Sequence, residues 1–212
     1  MEAHFKDAFK PIIILKAESF MPNGLVKNLG RMNFYFEKIN FTDIGLLPSE
    51  GPFNFYGRLF SKNYPKRDKD FTLMLKTSPT ERPSESNISI CCSPLGNYGN
   101  YVLEPFNGID NNFKLLMQNK TAQGKYQSER AYAPFYPEDF IIFSYKHGVG
   151  YYIYCDGQKN LVEGISHYKV HEGLYFGTSE SKIPKFDYLE FRVYDYDMSV
   201  EQINAAIQEM NE

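Results

Sequence analysis

The stretch "DFIIFSYKHGVGYYIYCDGQKNLVEGI", from Asp139 to Ile165, constrains the fold more than any other. Its first β-type run, Phe140–Tyr145, ends at "KHGVG", and the next, Tyr151–Cys155, ends at Asp156-Gly157. An Asp-Gly pair between two β runs predicts a type I′ hairpin turn, because both central residues of that turn need positive φ. Comparable runs recur along the chain: "PIIIL", "RMNFYFEKINF", "FNFYGRLF", "FTLMLKT", "NISICC", "NYVLEPF", "NFKLLMQ" and "GLYFG". In the second, Met32, Phe34 and Phe36 share one face; in the fourth, Phe71, Leu73 and Leu75 alternate with Thr72, Met74 and Lys76. Short strands with turn signals about every dozen residues predict a sandwich or barrel rather than alternating βα units.

The end of the chain departs from this pattern. In "FDYLEFRVYDYDMSVEQINAAIQ", strand alternation gives way to helical spacing. Phe186, Tyr188, Glu190 and Arg192 fall on one face of a strand, and Asp187, Leu189, Phe191 and Val193 on the other. The second face is the more apolar and is expected to look inward. Ser199 and Gln202 then have capping-box spacing, the serine capping the helix and the glutamine bonding back. Ile203, Ala206, Ile207 and Met210 form one apolar stripe at helical spacing, so a short amphipathic helix is expected against the sandwich edge.

These closing residues resemble the signature of laminin-G-like, concanavalin-A-like lectin/glucanase jelly rolls. Their last strand is followed by a "Leu-Ser-x-Glu-Glu-Ile" helix start, matched here by Met198, Ser199, Glu201, Gln202 and Ile203. "FTLMLKTSP", the "FIIFSYKHGVGYYIYCDGQ" hairpin and "GLYFGTSES" resemble earlier strands of that family in the same order. The resemblance covers about residues 71–208 and implies an all-β jelly-roll β-sandwich of two antiparallel sheets with a short C-terminal helix. At 212 residues the chain suits one such domain over 11–212, with residues 1–10 as an N-terminal arm or helical turn.

Composition narrows the partners. There are 18 Phe and 17 Tyr but no Trp, which favours strands. Net charge is −3, and the cations Lys62, Lys66, Arg67 and Lys69 are interrupted by Asp68 and Asp70, so no nucleic acid is expected. The apolar core Ile12–Leu15 is too short for a membrane span, and "MEAHFKDAFKPIIILKAESF" lacks the pattern of an export signal. Cys91, Cys92 and Cys155 show no metal-binding spacing and read as reduced thiols of a cytoplasmic assembly.

Jelly rolls serve lectins, glycosidases, adhesion modules and virion proteins, so the fold leaves the function open. A hydrolase of this fold places its carboxylates as Glu-x-Asp-x-x-Glu. Here Asp187 and Glu190 fit the last two positions, but Lys185 stands where the first Glu belongs. No Gly-x-Ser-x-Gly elbow occurs. His167 and His171, near Glu172, match no standard zinc spacing. Sugar recognition combines an aromatic platform with planar polar groups. "GNYGNY" and "RAYAPFYPEDF" have that composition, making Asn97, Tyr98, Asn100, Tyr132 and Tyr136 the candidate ligand-binding residues. No cofactor is expected beyond possible calcium at Asp110 in "GIDNN".

The expected protein is a non-catalytic binding or assembly module. Its place would be a virion of phage type or a related surface, as a homo-oligomer or part of a larger assembly, with a glycan or protein partner. A stand-alone lectin is the alternative, and a glycoside hydrolase a more distant one.

Overall fold

A computed structural model describes residues 9–43, 53, 55–61, 69–79, 89–91, 99–105, 113–120, 126–133, 140–161, 174–177 and 186–212. In chain order the strands begin with β1 (Ile13–Leu15), β2 (Glu37–Asp43), β3 (Phe55–Ser61), β4 (Phe71–Pro79), β5 (Ser89–Cys91), β6 (Gly99–Pro105) and β7 (Phe113–Lys120). They continue with β8 (Tyr126–Ala133), β9 (Phe140–Lys146), β10 (Gly150–Cys155), β11 (Gln158–Leu161), β12 (Leu174–Gly177) and β13 (Phe186–Tyr194), and helix α1 (Val200–Asn211) closes the chain. The strands form a six-stranded sheet, β1-β13-β4-β9-β10-β11, and a seven-stranded sheet, β2-β3-β12-β5-β6-β7-β8. All their pairings are antiparallel. This is the jelly-roll sandwich with a C-terminal helix that the sequence implies.

The hairpin forms as its turn chemistry requires. Asp156 and Gly157 have φ of 51° and 73°, and Cys155 pairs with Gln158 across them. Between the sheets lie Leu73 and Leu75 of β4, Phe143 and Tyr145 of β9, Tyr151 of β10, and Leu59 and Phe176 of the facing sheet. The rings pack in order: Phe176 stacks on Phe191 at 4.5 Å between centroids, and Phe143 on Tyr151 at 5.3 Å. Such pairs add about 0.5–1.5 kcal/mol each beyond the area they bury.

The start of the chain is tied down by one amide. The buried side chain of Asn28 accepts from the N–H groups of Ile14 (2.8 Å) and Gly30 (2.9 Å) and donates to the carbonyls of Ile12 (2.8 Å) and Met32 (2.6 Å). Gly30 passes so close to Ile12 that a Cβ there would lie 2.6 Å from its carbonyl carbon. This knot explains a departure from the sequence reading. Met32, Phe34 and Phe36 do pack on the core, but they precede the strand, and β2 begins only at Glu37.

Two further expectations change at the chain's end. In β13 a bulge lies between Tyr188 and Glu190: Tyr188 pairs with Thr77 and Glu190 with Lys76, leaving Leu189 as the extra residue. The alternation therefore slips by one. Phe191 and Val193 face the core as expected, but Tyr188 joins them there in place of Leu189, packing against Phe53 and Phe176. Phe53 holds this point by exchanging both backbone hydrogen bonds with Tyr188, at 2.7 and 2.9 Å.

Helix α1 starts at the expected capping box. Ser199 Oγ accepts from the Gln202 N–H (3.3 Å), and Gln202 Oε1 accepts from the Ser199 N–H (2.8 Å). The helix lies on the outer face of the six-stranded sheet, not at the sandwich edge. Ile203, Ala206 and Met210 cover Met74, Ile142 and Tyr194, burying a second apolar cluster.

Candidate functional site

Strand register locates the candidate sugar-binding residues. Phe176 of β12 is fully buried in the core, so its face of the seven-stranded sheet is the inner one. Phe176 pairs with Ile90, while the adjacent Tyr175 pairs with Cys91. Residues paired directly across a ladder share a face, and successive residues alternate. Cys91 pairs with Val102 and Val102 with Leu116, which in turn pairs with Arg130. The positions Val102, Leu116 and Arg130 thus belong to the outer face.

Two parallel rows accompany this one. Asn100, Gln118 and Ser128 form the row on one side, and Glu104, Lys114 and Tyr132 the row on the other. Asn100 and Tyr132, chosen from composition alone, therefore share the outer face of β6–β8. They stand four residues apart along the strands, roughly 13 Å at about 3.4 Å per residue. Asn97, Tyr98 and Tyr136 lie outside the described residues, as do the Asp110 loop, His167 and His171.

The sequence reading missed β8 and with it Ser128 and Arg130 as site positions. The signal was weak: "YQSERAYA" carries four consecutive polar residues, Gln127 to Arg130, with no apolar alternation to mark a strand. Only its pairing with β7 over all eight residues defines it.

The outer face of the six-stranded sheet is also polar, but its groups are engaged. Glu190 and Arg192 are buried and ion-paired; Arg192 also reaches Glu209 at 3.1 Å, and Lys16 approaches Glu190 at 3.4 Å. Burial opposes the charge on Arg192, but its bonds to Glu190 and Tyr194 more than restore it, so the guanidinium holds its proton more tightly than usual. Lys159 pairs with Asp197, which also accepts from Ser144 Oγ at 2.8 Å. Beside this network is a pocket of about 220 Å³ lined by Lys16, Glu18, Lys76, Leu189, Glu190 and Met210. Lys76 is already used there, donating to the Met210 carbonyl at the end of α1.

This arrangement bears on the partial hydrolase match. Glu190 serves Arg192 and Lys16 in a structural ion pair, although the bulge at Leu189 sets Asp187 and Glu190 on the same, outer face of β13. Among the described residues no three His, Cys, Asp or Glu side chains gather in a way that could hold a metal ion. His147 marks the β9–β10 turn, where its N–H donates to Asp70 at 2.7 Å.

No protein-family model matches the chain, and no curated protein matches it in sequence. Its fold does match solved structures. The botulinum neurotoxin serotype D binding domain aligns with a TM-score of 0.60 at 14% identity, over 98% of this chain and 52% of that one. The serotype D ligand binding domain in complex with N-acetylneuraminic acid aligns with a TM-score of 0.57 at 16% identity, over 98% and 52%. The binding domain of botulinum neurotoxin DC in complex with rat synaptotagmin II aligns with a TM-score of 0.58 at 12% identity, over 96% and 52%. The chain therefore spans about half the length of these binding domains. The likeness includes the first seventy residues, which the laminin-G-like resemblance leaves out.

Proposed function

We propose that the chain is a non-catalytic jelly-roll binding module that recognises glycans on the outer face of β6–β8. One observation carries this reading: the register gathers Asn100, Gln118, Ser128, Arg130 and Tyr132 on one outer face. Amides and hydroxyls can read sugar hydroxyl groups, while a tyrosine ring offers apolar area with a polar tip. The solved neighbours lend support, because they are binding domains and one of them holds N-acetylneuraminic acid. The laminin-G-like resemblance of residues 71–208 points to the same class.

A glycan array probed with the purified chain, with calcium and then with chelator, tests the proposal. Selective binding that weakens in Tyr132→Ala and Asn100→Ala is the expected result. Loss on chelation would give the Asp110 loop a calcium role. A blank array would remove the glycan reading.

Protein–protein assembly is the second reading, favoured by the exposed apolar residues Phe9, Leu25, Leu29 and Tyr35 near the start of the chain. Contiguous exposed apolar patches mark interaction sites, and these four residues are the candidates for one. An N-terminal arm over residues 1–10 that docks on a neighbouring copy, in a virion or another surface assembly, would use this end. Light scattering of the full chain and of Tyr35→Ser would detect such self-association. Among the described residues no helix is long and apolar enough to cross a membrane.

A further inference from the structure

We infer that the outward face of residues 25–37 docks a second copy of this chain about a two-fold axis. This rests on the assembly reading and specifies its partner and contact. Two stretches, 25–29 and 33–37, lie side by side. Lys27 and Tyr35 form an antiparallel bridge. Beside it the Phe36 N–H donates to the Val26 carbonyl at 2.8 Å, and the Asn28 N–H to the Phe34 carbonyl at 3.0 Å. Side chains in such a ribbon alternate between its faces. Val26 and Phe36 are buried in the core between the sheets, and Asn28 is buried with them. Leu25, Lys27, Leu29, Asn33, Tyr35 and Glu37 are exposed and make up the outward face. That face continues into β2, where Glu37 pairs with Phe60, the neighbour of the core residue Leu59.

The patch combines apolar area with two opposite charges. Leu25, Leu29 and Tyr35 are 45%, 38% and 50% exposed, half of the large apolar side chains exposed among the described residues. Such a concentration on one face marks an interaction surface. Lys27 stands across from Tyr35, and Glu37 lies two residues beyond that tyrosine. The two charges are therefore diagonal neighbours, with backbones roughly 7–8 Å apart. Among the described residues neither of them forms an ion pair, with each other or with any other group.

Those charges select the occupant. An anionic lipid surface would attract Lys27 but repel Glu37, and insertion into its apolar layer would bury both charges unpaired. A second copy satisfies both. Rotation about an axis lying in the plane of contact, midway between the two charges, sets Lys27 against the partner's Glu37. The same rotation sets Glu37 against the partner's Lys27. This reciprocity is what an isologous contact requires, and it brings the leucines and Tyr35 of both copies together between the charges. Six positions are few beside the roughly 20–30 residues that each side of a standard interface contributes. The contact is therefore weak and reversible, and salt weakens it further by screening its exposed charges.

The test is sedimentation velocity of the full chain over a range of concentrations, which should show a monomer–dimer equilibrium. Lys27→Glu and Glu37→Lys, each alone, set like charges against each other and should weaken dimerisation about tenfold or more. Mixing the two single variants in equal amounts should restore the dimer, because every charge then meets its opposite. The doubly exchanged chain, Lys27→Glu with Glu37→Lys, should dimerise like the parent. Matching unfolding midpoints exclude a folding defect in the single variants. Self-association that the single variants leave unchanged, or that mixing does not restore, overturns the two-fold assignment and leaves the assembly reading standing. A chain that stays monomeric throughout overturns both, and its cosedimentation with phosphatidylserine vesicles would give the face to a membrane instead.

Discussion

The two outer faces of the sandwich make an instructive pair. On the six-stranded sheet one outer row reads Arg192–Met74–Ile142–Tyr154–Lys159, and α1 lies against it. On the seven-stranded sheet the middle outer row reads Val102–Leu116–Arg130. Each mixes apolar residues with an arginine, yet their settings differ. Under α1, Arg192 is 3% exposed and tied to Glu190, Glu209 and Tyr194. Desolvated charge is tolerated there because each group has a partner. Among the described residues no helix lies on the β6–β8 face, and its arginine has an aliphatic residue as its cross-strand neighbour. Similar composition therefore serves structure on one face and, in our reading, recognition on the other.

If that contrast holds, the largest stability effects belong to the covered face. Glu190→Ala should cost about 3–5 kcal/mol in urea unfolding, because it leaves Arg192 buried without its closest partner. The Glu190→Leu, Arg192→Met double variant should recover much of that loss, since a well-packed apolar pair can replace a buried ion pair. A small loss in the single variant would mean that the network is not desolvated, and the contrast between the faces would collapse. Ile203→Ala comes next, at about 2–4 kcal/mol, for the cavity it opens beneath the helix.

These predictions rest on features that were unequally visible in the sequence. The Ser199 cap and the Asp156-Gly157 turn involve residues within a few positions of each other, so local chemistry announces them. The bulge at Leu189 does not, because Phe53 on one side and Thr77 on the other set it from far along the chain. The seat of α1 had a faint signal. Met74 and Ile142 are apolar on strands whose other face is already core, and strands buried on both faces read as continuous apolar runs. On the candidate site, Asn100 and Tyr132 were identified by residue type, but their shared face follows only from ladder register. Arg130 was passed over because a polar centre hid its strand.

Smaller effects sharpen the same division. Ser199→Ala should cost about 1 kcal/mol by removing the cap of α1. In alkali the covered side should fail first, through its tyrosines. Burial, with Tyr194 and Asp195 nearby, pushes Tyr196 up to about 12, and burial also raises Tyr194 beneath the helix and Tyr188 in the core between the sheets. A tyrosine in the unfolded chain ionises around 10.0. Below that pH both states keep the proton and stability is unaffected. Between there and about 12 the unfolded chain gives up protons that folded Tyr196 retains, so stability falls as pH rises. Tyrosinate absorbance should therefore show a late-ionising group whose signal rises together with loss of tertiary circular dichroism.

The smallest expected change is the most discriminating. Under the binding reading, Arg130→Gln should shift the unfolding free energy by no more than about 0.5 kcal/mol, the range of an ordinary surface substitution. Its counterpart Arg192→Gln, on the other sheet, should cost several times that, because it strands Glu190 under the helix. Both substitutions are chemically identical and both fall on an outer sheet face, so the difference between them isolates the effect of cover. Should Arg130→Gln instead destabilise as strongly as Arg192→Gln, Arg130 would be a structural ion-pair member like its counterpart. The proposed binding face of β6–β8 would then have lost one of its members.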